Sequence, residues 1–422
     1  MTSAAHEHAA GETSIAAGSL EGPQPVVLQV LPALNTGGVE RGTVEIAAAL
    51  AQAGALPIVA SSGGRLVHDL QRVGARHVDL PLHSKNPLVM RRNATRLTEV
   101  IESYGVHLVH ARSRAPAWSA YWATRRTGRP FVTTFHSPYG LGGPFKKRYN
   151  SVMTLGDRVI AISEFVAQHI KDNYEIDADK LRLVHRGVDL RSFNPDKVSA
   201  ERVIQLATAW RLPDGVPVIL LPGRLTRWKG QLLLIDALAQ IKQDRQFLCL
   251  LVGSDQGRSA YRQELEKAVA QRGLSDRVAI FDDCRDMPAA YKLSDVVVSA
   301  SIEPEGFGRV ISEAQAMGRP VVVSNHGGGP DETGFLFDNN NPADLARVLR
   351  RALDLTASQR AQLVIKAGRN AAENFSTARM CDKTLDVYRE LLSQLPDFTR
   401  VGLDPAGPEA TRAGGKAAGS GA

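Results

Sequence analysis

The chain has 422 residues, 43% hydrophobic and 23% charged, which is enough apolar material for two full cores and excludes a disordered or fibrous polypeptide. It contains no long apolar run of the kind that spans a bilayer, and its three scattered cysteines, Cys249, Cys284 and Cys381, exclude a disulfide framework and a cysteine zinc site. The net charge of +7 is uneven: residues 23–150 carry 16 Lys and Arg against 6 Asp and Glu, residues 1–22 contribute −3, and residues 151–422 balance at 35 against 35.

The first 22 residues are small, polar and acidic, without the basic start and apolar stretch of a signal peptide, so residues 1–24 read as a disordered tail and the location as cytoplasmic. From there, short continuous apolar runs alternate with helical patterns. Strands are expected at 26–31, 56–60, 76–80, 108–110, 131–134 and 158–161, with helices between them such as 39–53 and 95–104. Runs that are β-branched throughout, rather than alternating, belong to parallel sheets buried on both faces. The segment 193–215 holds Pro195, Pro213 and Gly215 and reads as the hinge, after which the pattern restarts at 217–221, 247–252, 278–281, 296–299 and 320–323. The fold class is therefore α/β, with two Rossmann-like doubly wound domains facing across a cleft. Residues 25–194 form the first Rossmann-like domain, 195–376 the second and 377–395 a helix packing back on the first. Residues 396–422, rich in Gly, Ala and Pro, read as a second tail.

Ligands in such sheets sit beyond the carboxyl ends of the strands, and the residues of note fall there. Gly37 and Gly38 form a tight turn before a helix whose amides can face an anion. Arg224 and Lys229, in PGRLTRWKGQ, put two cations at a helix start, where the helix dipole opposes them. They suit the charge that builds on a diphosphate leaving group. In EPEGFGRVISEAQAMG, Glu305 and Glu313 are separated by seven residues, with Gly306, Phe307 and Gly308 at the turn between. Treated as one helical stretch, this spacing places the carboxylates on one face about 12 Å apart, too far to share a proton but able to grip the two ends of an extended ligand. His136, following FVTTF, reads either as structural or as a site residue. The tripeptide Asp177-Ala178-Asp179 imitates a metal motif but lies in a polar turn and reads as solvated. The segment 143–157 places Phe145, Tyr149, Val152 and Met153 on one helical face, with Lys146, Lys147 and Arg148 near its start.

Together, the Gly37-Gly38 loop, GRLTRWKG and the Glu–seven–Glu segment resemble the retaining glycosyltransferases of family 4 (glycosyl transferases group 1), and HRGVDLRSFNP at 185–195 is similar to that family's interdomain signature. The resemblance covers residues 26–395 and implies the GT-B fold, a nucleotide-sugar donor and retention of anomeric configuration. It also implies that the first domain takes the acceptor and the second the nucleotide-sugar, that Gly37 and Gly38 bind the donor, that Glu305 touches the hydroxyls of the transferred sugar, Glu313 holds the ribose, Arg224 and Lys229 neutralise the diphosphate, and that Gly306, Phe307 and Gly308 lie near the donor. His136 matches the family's active-site histidine, and Ser163 in AISEF a recurrent position near the cleft. The expected acceptor is a glycan or lipid-linked molecule in cell-surface polysaccharide, lipopolysaccharide or glycolipid synthesis. The basic first domain suits an acidic acceptor or an anionic membrane surface, or is simply solvated; nucleic acid is not an expected partner. No cofactor and no metal are expected, because the cations supply the charge. Against the family pattern, only Pro330, Asp331 and Glu332 separate HGGG from TGFLF, about six residues fewer than usual. That departure keeps open a non-catalytic binding protein; a sugar-nucleotide epimerase or phosphorylase on the same fold is the other alternative.

Overall fold

The computed structural model describes residues 24–35, 37–257, 259–325 and 333–398. The expected tail before residue 24, most of that after 395, and the short loop 330–332 lie outside the described residues.

The first sheet is all parallel and comprises β1 (Val26–Val30), β2 (Leu56–Ser61), β3 (Arg76–Asp79), β4 (Leu108–Ala111), β5 (Phe131–Phe135), β6 (Arg158–Ala161) and β7 (Leu181–Leu183). Its order is β3-β2-β1-β4-β5-β6-β7. Between these strands run α1 (Gly38–Gln52), α2 (Val67–Arg72), α3 (Pro87–Ser103), α4 (Arg114–Thr127), α5 (Pro144–Asn150) and α6 (Glu164–Asn173). The second sheet, with β8 (Val218–Pro222), β9 (Leu248–Val252), β10 (Val278–Phe281), β11 (Val296–Ser299), β12 (Val321–Ser324) and β13 (Phe335–Phe337), repeats the plan in the order β10-β9-β8-β11-β12-β13. Its helices are α7 (Ala200–Ala209), α8 (Gln231–Ile241), α9 (Ser259–Gln271), α10 (Met287–Leu293), α11 (Arg309–Ala316), α12 (Pro342–Leu353) and α13 (Ala357–Asn374), followed by α14 (Thr377–Leu392). The fold is thus the two-domain Rossmann-like arrangement expected from the sequence. In each sheet the strand order reverses at one point, between β1 and β4 and between β8 and β11, and a crevice opens there.

The central strands are buried along their whole length because helices cover both faces; β1, β5 and β8 expose almost nothing. α14 closes the back of the first domain, where Met380, Leu385, Tyr388, Leu391 and Leu392 pack on Val27, Leu108, Val132 and Ile160. Burying each such large apolar side chain contributes about 1.5–3 kcal/mol. The polar centre of this contact is satisfied: His110 Nδ1 lies 2.6 Å from the Tyr388 hydroxyl and Nε2 lies 2.7 Å from Thr134 Oγ1. Burial holds His110 well below the usual histidine range, so it is neutral. The chain crosses between the domains twice, and the crossings touch at a parallel bridge between Val188 and Ser376.

Several elements differ from the sequence reading. α3 starts at Pro87, well before residue 95, because Asn86 caps it and proline is pre-shaped for the first helical position. The edge strands β7 and β13, three residues each, carry too short a pattern to read. The single helical face expected over 145–153 does not form. α5 ends at Asn150 and a 3₁₀ turn, Ser151–Thr154, follows, which breaks the 3.6-residue period. Val152 and Met153 are consequently in the core, whereas Phe145 is 89% exposed. Among the described residues, no helix is long and apolar enough to cross a membrane.

Candidate active site

Two turns meet at the switch point of the second sheet. After β8 the chain makes a short 3₁₀ turn, Arg227–Lys229, and enters α8; after β11 it runs through Ser301 and Glu305 to α11. The two turns are joined by an ion pair, Lys229 Nζ to Glu305 Oε1 at 2.7 Å, largely sheltered from solvent. The Ser301 hydroxyl donates to the same carboxylate oxygen, and Ser299 lies 3.4 Å from it. Glu305 is therefore fixed by a cation and a hydroxyl from its own domain. Arg224 stands exposed at the same turn, with no ion pair among the described residues.

The segment Gly306-Phe307-Gly308 carries the chain across the cleft. The Gly306 carbonyl accepts a 2.6 Å hydrogen bond from Ser163 Oγ of the first domain. A Cβ at Gly306 would stand 2.8 Å from the His136 carbonyl oxygen, so only glycine allows this approach. The Phe307 ring packs against His185 and Phe375, at 6.2 and 5.6 Å. Gly308 adopts a left-handed conformation (φ 50°) and starts α11 without a side-chain cap, leaving the first amides of the helix free for an anion.

Glu313 lies one helical turn into α11, and its carboxylate accepts a 2.8 Å hydrogen bond from the fully buried Tyr291 hydroxyl, with Arg309 at 3.5 Å. Burial pushes the Glu313 carboxyl above the usual carboxylate range, while Arg309 and Tyr291 act in the opposite sense. The 12 Å separation reckoned from helical rise does not apply, because Glu305 precedes the helix, which begins at Arg309.

On the first domain, Gly37 and Gly38 open α1. Gly37 is extended (φ 178°), so the pair is needed for space rather than for an unusual turn. A Cβ at Gly38 would stand 2.8 Å from Arg186 Nη2, and Arg186 donates to the Gly38 carbonyl. The Glu40 carboxylate folds back over Gly37. His136 directly follows β5; both its ring nitrogens are buried without a hydrogen-bond partner. Burial first, then Arg112 and Arg186, hold it well below the usual histidine range, so the ring is neutral.

The structure thus places the expected residues in four groups: Arg224, Lys229 and Glu305 at the β8 and β11 turns; Gly306, Phe307 and Gly308 against His136 and Ser163; Gly37 and Gly38 at the start of α1, Gly38 against Arg186; and Glu313 on a cavity of about 1210 Å3 between the domains. Arg41 and Glu45 of α1, Cys284 to Asp286 before α10, Met287 at its start, and Arg309 also line that cavity. Sequence reasoning missed Arg112, Arg186, Arg309 and Tyr291. Arg112 and Arg186 follow the ends of β4 and β7, a position that marks site residues, but nothing local distinguishes a buried arginine from a surface one. Among the described residues, no group of His, Cys, Asp and Glu is arranged to hold a metal ion.

Comparison with known proteins agrees with this geometry. Residues 36–192 match the family described as Glycosyltransferase Family 4, and residues 205–371 match Glycosyl transferases group 1. The crystal structure of a glycosyltransferase from Rickettsia africae is 40% identical, superposes with a TM-score of 0.83, and covers 88% of this chain and 100% of that one. A D-inositol 3-phosphate glycosyltransferase of Xylanimonas cellulosilytica is 33% identical over 254 residues, which are 58% of this chain and 60% of that protein. The chain thus spans about 60% of the length of that curated relative. The structure of Anabaena HepE in complex with UDP and glucose shares the fold at a TM-score of 0.75 and 22% identity, covering 87% of this chain and all of that one. The chain belongs to the glycosyl transferases group 1 family, with a family 4 first domain and the GT-B fold.

Proposed function

We propose that the protein is a retaining glycosyltransferase that moves a hexosyl group from a nucleotide-sugar to a glycan or lipid-linked acceptor in cell-surface polysaccharide, lipopolysaccharide or glycolipid synthesis. The observation that carries this reading is Glu305, locked by Lys229 and Ser301 beside the uncapped start of α11, with Glu313 further along the same helix. Glu305 accepts hydrogen bonds from the transferred sugar, Glu313 from the ribose, and the α11 amides face the diphosphate. The bond from the anomeric carbon to the diphosphate oxygen breaks, and a bond from that carbon to the acceptor oxygen forms on the same face. The acceptor hydroxyl proton passes to the departing diphosphate. Lys229 and Arg224 stabilise the charge on the leaving group, in place of a metal ion. The UDP and UDP-glucose named in the HepE structures support a nucleotide-sugar donor.

For the acceptor, the exposed Phe145 beside Lys146, Lys147 and Arg148 supports a lipid-linked molecule met at the inner face of an anionic membrane. So does a surface depression of about 470 Å3 formed by Arg91, Arg92, Thr95, Trp122 and Arg126. The test is a thermal-shift panel of uridine, guanosine and adenosine diphosphates, followed by turnover with the matching nucleotide-sugars in the presence and absence of a chelator. One diphosphate at 100 times its Kd should add about 2.7 kcal/mol of stability. Its release from the sugar only when acceptor is present separates transfer from epimerisation, and the anomeric configuration of the product decides retention. Failure of all three diphosphates to bind would refute the reading.

A further inference from the structure

Two guanidinium groups, Arg112 and Arg186, meet beside the first turn of α1 with no role in the reading above, and a third, Arg309, acts on Arg186 and on Glu45 of α1 while also pairing with Glu313. Arg112 comes from the end of β4 and is 5% exposed; Arg186 comes from the first interdomain crossing and is 9% exposed; Arg309 is the first residue of α11. Arg112 and Arg186 reach the same place: a Cβ on Gly42 would stand 3.1 Å from Arg112 Nη2 and 3.7 Å from Arg186 Nη2. Their polar contacts leave most of their donors idle. Arg112 has a long 3.4 Å bond to Gln29 Oε1, and its Nε is buried without a partner. Arg186 donates to the Gly38 carbonyl. Among the described residues, neither forms an ion pair with a carboxylate. Glu40 and Glu45 act on them only at longer range. Burial, with Arg309 and Arg112 nearby, pulls the Arg186 guanidinium down to about 9, which leaves it charged at neutral pH.

Buried charges are kept only when a partner compensates them. The idle donors here face the amino end of a 15-residue helix with no side-chain cap, where the partial positive charge also favours an anion. Planar guanidinium forks suit an oxyanion better than any neutral group. Arg224 and Lys229, the cations of the donor reading, belong to the β8 turn of the other domain, with Lys229 held by Glu305; the arginine cluster borders the donor only at Glu313, which pairs with Arg309 and lies in the field of Arg186. Between the two sites stands His136, neutral and unpaired, in the field of Arg112 and Arg186 and with its backbone against Gly306. An anion on Arg112 and Arg186 is therefore on the acceptor-domain side of the reacting centre, with Arg309 reaching it from the other domain.

We infer that Arg112, Arg186 and Arg309 bind an oxyanion, phosphate or carboxylate, carried by the acceptor close to the hydroxyl that receives the sugar. The inference rests on the glycosyltransferase reading and narrows its acceptor to an acidic molecule. The same chemistry would also hold a phosphate of the donor, and the experiment separates the two. Inorganic phosphate, and acetate in parallel, are titrated calorimetrically into the full-length protein, first free and then saturated with the nucleoside diphosphate that stabilises it. The expected result is that at least one of the two anions binds in both states. Its Kd should rise about tenfold or more in Arg112→Gln and Arg186→Gln, as loss of a charged hydrogen bond implies, while the Kd for the diphosphate changes less than twofold. Arg186→Lys, which keeps charge but loses the fork, should fall between and guards against a variant that misfolds. If anion and diphosphate exclude one another, the arginines serve the donor and the inference is overturned. It is equally overturned if neither anion binds or if the variants bind as wild type does. Absence of diphosphate binding overturns the donor reading itself, and the acceptor role with it.

Discussion

Lys229 and Glu305 sit on different turns of the second domain, 76 residues apart, with nitrogen and oxygen 2.7 Å from each other. The cation assigned to the leaving group and the carboxylate assigned to the sugar thus restrain one another, and the site is organised before chemistry begins. Removing one member also disturbs the other. In Lys229→Ala the sheltered Glu305 loses its counter-charge and keeps only the Ser301 and Ser299 hydroxyls. Lys229→Ala is expected to lower kcat on the order of 10²-fold and to weaken diphosphate binding. Glu305→Gln should lower kcat while diphosphate affinity stays near wild type. Steady-state kinetics with isothermal titration of the diphosphate checks both; equal loss of diphosphate affinity in the two variants would show that their roles are not divided. Exposed Arg224 has no such partner, so Arg224→Ala should weaken turnover without altering thermal stability.

A second expectation concerns Glu313 and pH. Burial raises its carboxyl above the usual carboxylate range, and it must be ionised to accept two hydroxyls of a ribose. As pH falls through this raised value, the carboxylate takes up a proton and diphosphate affinity declines. The decline therefore begins at a higher pH than an ordinary carboxylate would give. Glu313→Gln should bind the diphosphate weakly at every pH and lose this acid limb. Tyr291→Phe removes a hydrogen bond to a charged group, worth about 1.5–3 kcal/mol, and should shift the limb further upward. Diphosphate titrations from pH 5 to 8 would decide the matter; a limb that persists in Glu313→Gln belongs to another group.

The fold and half of this site were legible because their signals are local. Continuous buried strands of mainly aliphatic residues such as β1 and β8, and a Glu–seven–Glu segment broken by glycines, show themselves within a dozen residues. What stayed hidden depends on contacts across the chain. Arg186 meets Gly38 from 148 residues away, and Tyr291 meets Glu313 across 22. The Gly37-Gly38 pair reads as a tight turn, yet Gly37 is extended, and the reason for Gly38, a guanidinium lying where a side chain would be, is not in the local sequence. The helical face expected through Met153 misled because apolar spacing cannot show where an α-helix gives way to a 3₁₀ turn.

Gly306 provides a test of how the domains meet. A methyl group there would stand 2.8 Å from the His136 carbonyl and 3.1 Å from Ser137 Cα, both backbone atoms of the other domain that cannot turn aside. Gly306→Ala should therefore hold the domains apart at this point, break the Ser163 hydrogen bond and lower kcat by tenfold or more, about 1.4 kcal/mol, with each domain still folded. Ser163→Ala removes only that hydrogen bond, and its effect should be smaller. Small-angle scattering together with kinetics reads both; wild-type turnover in Gly306→Ala would mean that this contact does not form in the working enzyme.

The final expectation concerns the membrane surface. Phe145 is 89% exposed at the start of α5, and the next three residues are Lys146, Lys147 and Arg148. Because the 3₁₀ turn delivers Val152 and Met153 to the core, the segment is anchored at its far end and presents an aromatic ring among cations at its near end. Each cation close to an anionic bilayer contributes about 1 kcal/mol, and the attraction decays within a Debye length of about 10 Å at 0.1 M salt. The wild-type protein is expected to sediment with vesicles of mixed anionic and neutral lipid at low salt and to be released by high salt. The triple change K146Q, K147Q and R148Q should cut the bound fraction strongly without altering the thermal midpoint, since these side chains lie on the surface. Phe145→Ala should weaken binding by an amount that salt does not change, because burial of an aromatic ring in the headgroup region is apolar rather than ionic. A wild type that ignores anionic vesicles at low salt would assign the acceptor to solution and leave the cations of α5 as a solvated face.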